Sequence, residues 1–201
     1  MLAFARSRIA HLLAPARILI LFVTSVALPV TATAANCTAP EFRAFEAPTV
    51  PAAGWPINVN NQLQLRYPAA PASAAFAADN FLALTFADGA RAVISLRDAA
   101  ELARNQPTAS ARLPQQYWRN VFTGADSEGC EVAQAMDLAD QDYRVSLAPG
   151  GMQIYAYGKG DRHQFFAIPD NPQHPVVNGL FRGVTRAQVE SVLATITKGE
   201  N

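Results

Sequence analysis

The dipeptide Asp88-Gly89, placed between two apolar segments, is the feature of this sequence that most constrains its fold. The segments run from Phe81 to Phe86 and from Arg91 to Arg97. Asp-Gly is typical of two-residue hairpin turns, because both central residues of a type I′ turn need positive φ. The pattern predicts an antiparallel hairpin in which Thr85 faces Ala92. Both faces of this hairpin are largely apolar, so we expect it to lie inside a sheet that is covered on both sides.

Alternating apolar and polar residues predict further strands before and after the hairpin. A four-residue loop at 158–161 would place His163 opposite Ala156. Residues 69–78, rich in Ala and Pro, are expected to be a connector. The additional predicted strands are Gln62–Tyr67, Tyr143–Leu147, Met152–Tyr157, His163–Ile168 and Val176–Phe181.

Four segments have helical patterns. The last is the best specified, because Thr185 and Gln188 have the spacing of a capping box. The apolar residues that follow them fall on one stripe, namely Val189, Val192, Leu193 and Ile196. The predicted helices are Asp98–Asn105, a segment from Pro114 to Phe122, Cys130–Ala139 and Thr185–Lys198.

Together these elements predict an α+β fold. It consists of a mainly antiparallel sheet of about six to seven strands with flanking helices, and the C-terminal amphipathic helix packs on the sheet. Residues 59–201 are expected to form a single domain. Residues 35–58 are rich in proline, which disfavours a long helix, so we expect them to form an extended arm.

Residues 1–34 have the pattern of a signal peptide. Arg6, Arg8 and Arg17 precede an apolar run from Ile18 to Val30, and small residues follow, with cleavage predicted after Ala34. The run is shorter than the roughly 20 apolar residues that a membrane-spanning helix needs. The sequence therefore predicts a periplasmic or secreted protein with a Sec-type signal peptide and no permanent membrane span.

Charge is informative once the leader is set aside. All the acidic residues lie after it, whereas three of the arginines lie within it, so the remaining chain is mildly acidic. Its lysines are Lys159 and Lys198. The sequence shows no basic stripe that would neutralise phosphates, which argues against a nucleic-acid partner.

The chain contains two cysteines, Cys37 and Cys130. An oxidising compartment favours a disulfide between them, which would tie the start of the mature chain to the domain. The alternatives are two free thiols, or a lipid anchor at Cys37. Asn36 stands where lipoprotein processing needs a small residue, so the disulfide is the preferred interpretation.

The sequence shows no catalytic or cofactor motif. After the leader the histidines are His163 and His174, which lack the companions of a zinc site. There is no Gly-x-Ser-x-Gly segment. We therefore predict no cofactor, no metal and no catalytic residue from motifs alone.

An acidic stretch provides the candidate binding residues. It can be a solvated surface, a docking surface for a basic partner, or a source of calcium or catalytic carboxylates. Two tyrosines of the predicted second hairpin, on the same face as Phe166, could add an aromatic patch if they are not core residues. The candidates are Asp126, Glu128, Glu131, Asp137, Asp140, Asp142, Tyr155 and Tyr157.

The pattern of elements resembles small exported α/β domains of the Mog1/PsbP-like kind and periplasmic immunity proteins that neutralise secreted bacterial toxins. The resemblance transfers no functional residues, and it implies binding rather than catalysis. The segments that carry it are Leu63–Pro68, Asp88-Gly89, Ile154–Tyr157, Gln164–Ile168 and Val189–Ile196.

Two hypotheses follow. The first is an exported, non-enzymatic binding protein, such as an inhibitor or immunity protein for a secreted effector, with a protein partner that could be basic. The second is a small exported hydrolase that uses the carboxylates in 126–142. Acids that converge in an apolar cleft would favour the enzyme, whereas dispersed acids would favour docking.

Overall fold

The computed structural model describes residues 38–46, 53–59, 61–77, 80–106 and 112–199. The predicted signal peptide and Cys37 lie outside these residues, so both stay predictions. None of the helices in the described ranges is long and apolar enough to cross a membrane.

The described residues form an α+β fold with four α-helices and two sheets. The helices are α1 Ala99–Asn105, α2 Pro114–Thr123, α3 Ser127–Ala135 and α4 Arg186–Leu193, with a 3₁₀ helix at Leu138–Asp140. The strands are β1 Arg43–Ala44, β2 Trp55–Val59, β3 Leu63–Tyr67, β4 Pro71–Ala77, β5 Phe81–Phe86, β6 Arg91–Arg97, β7 Tyr143–Leu147, β8 Met152–Lys159, β9 Arg162–Pro169, β10 Val176–Arg182 and β11 Thr197–Lys198.

The larger sheet has eight strands in the order β1-β7-β8-β9-β10-β6-β5-β4. Its neighbours are antiparallel except for the short β1–β7 pair, which is parallel. The smaller sheet has the order β11-β3-β2. A mainly antiparallel sheet is therefore confirmed, but the prediction of a single sheet of six to seven strands is wrong.

Two hydrophobic clusters lie on opposite faces of the larger sheet. One face packs against the smaller sheet and α4, and we call it the α4 face. The other packs against α1, α2 and α3, and we call it the α1–α3 face. Adjacent residues Phe165 and Phe166 belong to different clusters, because successive side chains of a strand point to opposite faces.

The Asp88-Gly89 hairpin forms with a different register from the predicted one. Its loop has three residues, because the Phe86 N–H donates to the Ala90 carbonyl at 2.9 Å. Gly89 has φ of +84° and closes a three-residue loop of the bulged kind. Thr85 consequently pairs with Arg91 rather than Ala92.

This change of register alters which side of the hairpin is buried. Leu84, Phe86, Ala92 and Ile94 now share the α4 face and are buried. On the opposite face Phe81 is exposed. Its neighbours Ala83 and Val93 are only half-buried, so the prediction that the hairpin is covered on both sides is wrong.

Three other predicted boundaries are corrected. Residues 71–77 of the expected connector form edge strand β4, whose Pro71 begins a strand where a missing N–H is tolerated. The end of the predicted arm, residues 55–58, belongs to strand β2, Trp55–Val59. Helix α3 begins at Ser127 rather than Cys130, because the Asp126 carboxylate accepts the Gly129 N–H at 2.7 Å and caps the helix.

The predicted start of the C-terminal helix is confirmed. Thr185 and Gln188 form a reciprocal capping box, and the apolar stripe packs in the cluster that contains β3. The predicted end is wrong. The helix ends at Leu193, and Thr197–Lys198 pairs with β3 as a third strand of the smaller sheet.

Gly179 determines how β9 and β10 pair. It is the cross-strand partner of Phe165, and a Cβ at position 179 would overlap the Phe165 ring. The ring is completely buried in the centre of the larger sheet. A larger residue at 179 would therefore displace an aromatic ring of the main core.

We expect Gly179→Ala to lower the free energy of unfolding by about 1–3 kcal/mol, because overpacking forces the ring from its position. Urea denaturation measures this change. The same substitution in a Phe165→Leu background should cost less, since the smaller side chain leaves room for the methyl group. Equal costs in both backgrounds would show that the ring contact is not the cause.

Candidate functional site

A cleft of about 450 Å³ lies on the α1–α3 face, between the 3₁₀ helix and the turn that joins β8 to β9. We refer to it as the cleft. Charged groups of both signs line it together with neutral polar and apolar groups. The lining residues are Met136, Asp137, Asp140, Gln141, Tyr157, Lys159, Arg162, His163, Gln164 and Leu180.

The acidic wall of the cleft is formed where α3 stops. Asp137 adopts the left-handed conformation with φ of +51°, and this ends the helix. Its N–H donates to the Gln134 carbonyl at 2.9 Å, and the Asp140 N–H donates to the Asp137 carbonyl at 3.0 Å. Both side chains are exposed. The turn therefore presents two carboxylates to one side of the cleft.

Arg144 holds this wall in place from the neighbouring strand β7. Its Nη1 donates to the carbonyl oxygens of Leu138, Ala139 and Gln141 at 2.6, 2.9 and 3.4 Å. These carbonyls lack helical partners at the end of the 3₁₀ helix, so the guanidinium acts as a cap. The backbone that carries the two carboxylates is thus held against the sheet.

The floor of the cleft comes from the ends of β8 and β9. The Tyr157 hydroxyl donates to Gln164 Oε1 at 2.8 Å, and burial raises the pKa of Tyr157. Lys159 and Arg162 are exposed cross-strand partners beside a two-residue turn. None of Asp137, Asp140, Lys159 and Arg162 has an ion-pair partner among the described residues.

His163 is a structural residue at the back of the cleft. It is 2% exposed and faces Gly158, not Ala156 as predicted, because the loop has two residues rather than four. A ring nitrogen, Nε2, donates to the Val184 carbonyl at 2.9 Å, and the Tyr143 hydroxyl donates to the other nitrogen, Nδ1, at 3.1 Å. Both nitrogens are occupied, which leaves none for a metal or a substrate.

The other predicted acids do not converge on the cleft. Asp126 and Glu128 both lie within ion-pair distance of Arg112, at 2.6 and 3.3 Å. Asp142 accepts the Gly160 N–H at 2.8 Å and fixes the β8–β9 turn. Glu131 is exposed on α3. Only the pair at 137 and 140 therefore belongs to the cleft.

The two candidate tyrosines are mainly core residues. Tyr157 is 4% exposed, so of the two interpretations, core residue or surface patch, the structure favours the core. Tyr155 is partly buried and stacks on Phe122, with 4.7 Å between ring centroids. Burial raises the pKa of Tyr155. The shared face with Phe166 was predicted correctly, because a shift of two residues preserves the face.

Cys130 is buried at the start of α3. It lines a surface pocket together with Thr38. Cys37 precedes Thr38 directly but lies outside the described residues. The pairing of the two cysteines therefore stays a prediction.

Metal binding receives no support from the arrangement of ligands. The described ranges contain no group of three or more His, Cys, Asp or Glu side chains that could hold an ion. Asp137, Asp140 and Asp142, which the sequence offered as calcium ligands, do not form such a group among the described residues.

Comparisons with protein-family models, with curated protein sequences and with solved structures give no match to this chain. The site must be interpreted from its own residues.

Sequence analysis missed the basic and amide groups of the cleft, Lys159, Arg162 and Gln164. The signal was present in the Gly160-Asp161 dipeptide, which suits a two-residue turn. With that turn, the residues on either side become cross-strand partners on one face.

We expect Asp126→Asn to lower the free energy of unfolding at pH 7 by about 0.5–1 kcal/mol. Asparagine can still cap α3, but it loses the negative charge that pairs with Arg112 and favours a helix N-terminus. The Gly129 N–H holds the pKa of Asp126 below its ordinary value of 3.8, with further help from Asn120 and Arg112. A lowered pKa stabilises the fold above 3.8, and this stabilisation is lost as the pH falls through the folded-state value. Urea denaturation at pH 7 and at acidic pH should show that the cost of the substitution shrinks in acid.

The control is Glu131→Gln, an exposed acid of the same helix. It should leave stability nearly unchanged at both pH values. An equal loss in both variants would mean that the negative charge at Asp126 is not what stabilises α3.

Proposed function

We propose that this chain is an exported, non-enzymatic protein that binds another protein through the cleft. The narrower form of the proposal is an inhibitor or immunity protein for a secreted effector, in line with the resemblance to periplasmic immunity proteins. The observation that carries it is the set of charged groups, two acids and two bases, which line one cleft without ion-pairing to each other.

Unpaired charges of both signs suit recognition by complementary charges on a partner. Charged groups at an interface mainly set specificity and the rate of association. Arg144 holds the backbone that carries the two acids, and strand pairing holds the backbone that carries the two bases, so the partner would meet a surface with a preorganised main chain. Preorganisation favours affinity because less conformational freedom is lost on binding. A partner with basic groups would be attracted to the Asp137 and Asp140 side.

The alternative, hydrolysis by carboxylates, finds less support. It needs one carboxylic acid that is kept protonated by an apolar site and a second that is ionised. Asp137 and Asp140 are both exposed, and the pKa of Asp126 is lowered by its role as a cap. His163 is fully occupied by hydrogen bonds. The cleft therefore offers binding groups and lacks an activated pair.

We expect Asp137→Asn/Asp140→Asn to weaken capture of the partner by about tenfold, because two cleft charges are removed. The measurement is an affinity pull-down from periplasmic extract and culture supernatant, followed by titration of the captured protein. Glu46→Gln/Glu131→Gln is the matched control, since it removes two exposed acids elsewhere and should change little. A partner held equally by both double variants would place the interface elsewhere, and the absence of any stable partner would contradict the binding role.

Export to an oxidising compartment gives a separate prediction. We expect the mature protein to be two hydrogen atoms lighter than its reduced form, because Cys37 and Cys130 are joined. Mass spectrometry before and after reduction measures this. In the chain-entropy model, closing a loop of this length stabilises the fold by about 4–5 kcal/mol, so reduction should also lower the unfolding midpoint. An acylated N-terminal cysteine would contradict the bridge.

A further inference from the structure

The strand register brings four basic residues side by side across the larger sheet. Arg91 pairs with Arg182, Arg182 pairs with Arg162, and Arg162 pairs with Lys159. Directly paired residues of antiparallel strands point to the same face. Since neighbouring strands lie about 4.8 Å apart, the four form a line roughly 14 Å long. We call it the basic row.

The basic row lies on the α1–α3 face. Ala92 and Phe181, the neighbours of its two central arginines along the chain, are buried on the α4 face. Lys159 and Arg162 line the cleft. All four basic side chains are exposed. The row therefore begins on the floor of the cleft and continues beyond it to the start of β6.

Placing like charges opposite each other disfavours strand pairing. No described acidic side chain forms an ion pair with any member of the basic row. Some arginines elsewhere in the domain are paired, as in Arg112 with Asp126 and Arg119 with Asp170, whereas Arg104 forms no ion pair among the described residues. The row is distinguished by four like charges that are cross-strand neighbours, and such a concentration of positive charge favours the binding of an anionic group.

The surface beside the row is less polar. One step inward along the same strands lie the half-buried side chains of Gln164, Leu180, Val93 and Ala83. In the other direction across the sheet the row is continued by two hydroxyl residues, Thr85 next to Arg91 and then Ser73. A charged line next to an apolar strip resembles the rim and core of a protein–protein interface.

We propose that the basic row binds an acidic segment of a protein partner, with carboxylates along the row and apolar side chains over Leu180 and Val93. The inference rests on the proposed binding function and adds the chemistry of the partner. A single polypeptide segment can follow the row and avoid Asp137 and Asp140, which face it across the cleft. A flat anionic membrane would approach those two acids as well. Single-strand nucleic-acid binders stack bases on aromatic side chains, whereas the residues directly beside the row are Gln164, Leu180 and Val93.

The test uses a fluorescein-labelled oligo-glutamate peptide of about ten residues, long enough to cover the row. Fluorescence anisotropy measures its affinity for the purified protein at low and at physiological salt. The variant is Arg91→Gln/Arg182→Gln, whose residues lie outside the cleft. The matched control is Arg104→Gln/Lys198→Gln, which removes the same charge from exposed residues on α1 and β11.

We expect the row variant to bind the peptide about tenfold more weakly than the parent, the control to bind within about twofold, and binding to weaken with salt. Absence of peptide binding, or equal loss in both variants, would overturn the proposal. Tighter binding of a single-stranded DNA oligonucleotide or of anionic vesicles than of the peptide would overturn the assigned partner class.

Thermal unfolding distinguishes a binding role from a structural one. Removing two opposed arginines should leave the unfolding midpoint of the row variant equal to or above that of the parent. A lower midpoint than that of the control variant would show that the row stabilises the fold and would overturn the proposal. Weaker capture of the partner by the row variant, together with its loss of peptide binding, would support the inference. Because Arg91 and Arg182 lie outside the cleft, capture that the row variant leaves unchanged and that Asp137→Asn/Asp140→Asn weakens would overturn the inference and leave the proposed function standing.

Discussion

The pairing of β9 with β10, with the Phe165 ring over Gly179, is the interaction on which the rest of the structure depends. These two strands lie in the middle of the larger sheet, and successive residues of β9 enter the two different cores. A slip of one residue would exchange those cores, because it turns every side chain of a strand to the other face. The same register sets Arg162 opposite Arg182. The buried packing and the charged surface therefore have one structural origin.

The cleft and the basic row show how charge is distributed between stability and recognition. Arg112 pairs with both Asp126 and Glu128 at the start of α3, and Asp142 fixes a turn. The charges that line the cleft and the row are left without such partners among the described residues. An unpaired surface charge stabilises a fold little, but it is available to a complementary partner. The contrast between charges that are paired within the fold and charges that are left without an ion-pair partner at the cleft and the row supports a binding function more strongly than the acidic composition does.

Local patterns in the sequence predicted most elements, whereas pairing details required the structure. The capping box at Thr185 and the alternation in β7, β8 and β9 act within a few residues, so they can be recognised directly. The hairpin at Asp88 was predicted with the wrong register, since Asp-Gly also suits a three-residue loop that ends at a left-handed glycine. The sequence alone indicated that the chain has no basic stripe, and that inference was wrong. The four residues of the row are spread from 91 to 182, and only strand order and register bring them together.

The central claim is that the cleft and the basic row form one binding surface on the α1–α3 face. Two-dimensional NMR of the labelled protein, titrated with oligo-glutamate, tests it most directly. The account predicts that backbone amide shifts concentrate at 159–162 and at Arg91 and Arg182, with smaller changes at 137–141. Shifts confined to the smaller sheet, or scattered over all exposed basic residues including Arg104 and Lys198, would contradict it.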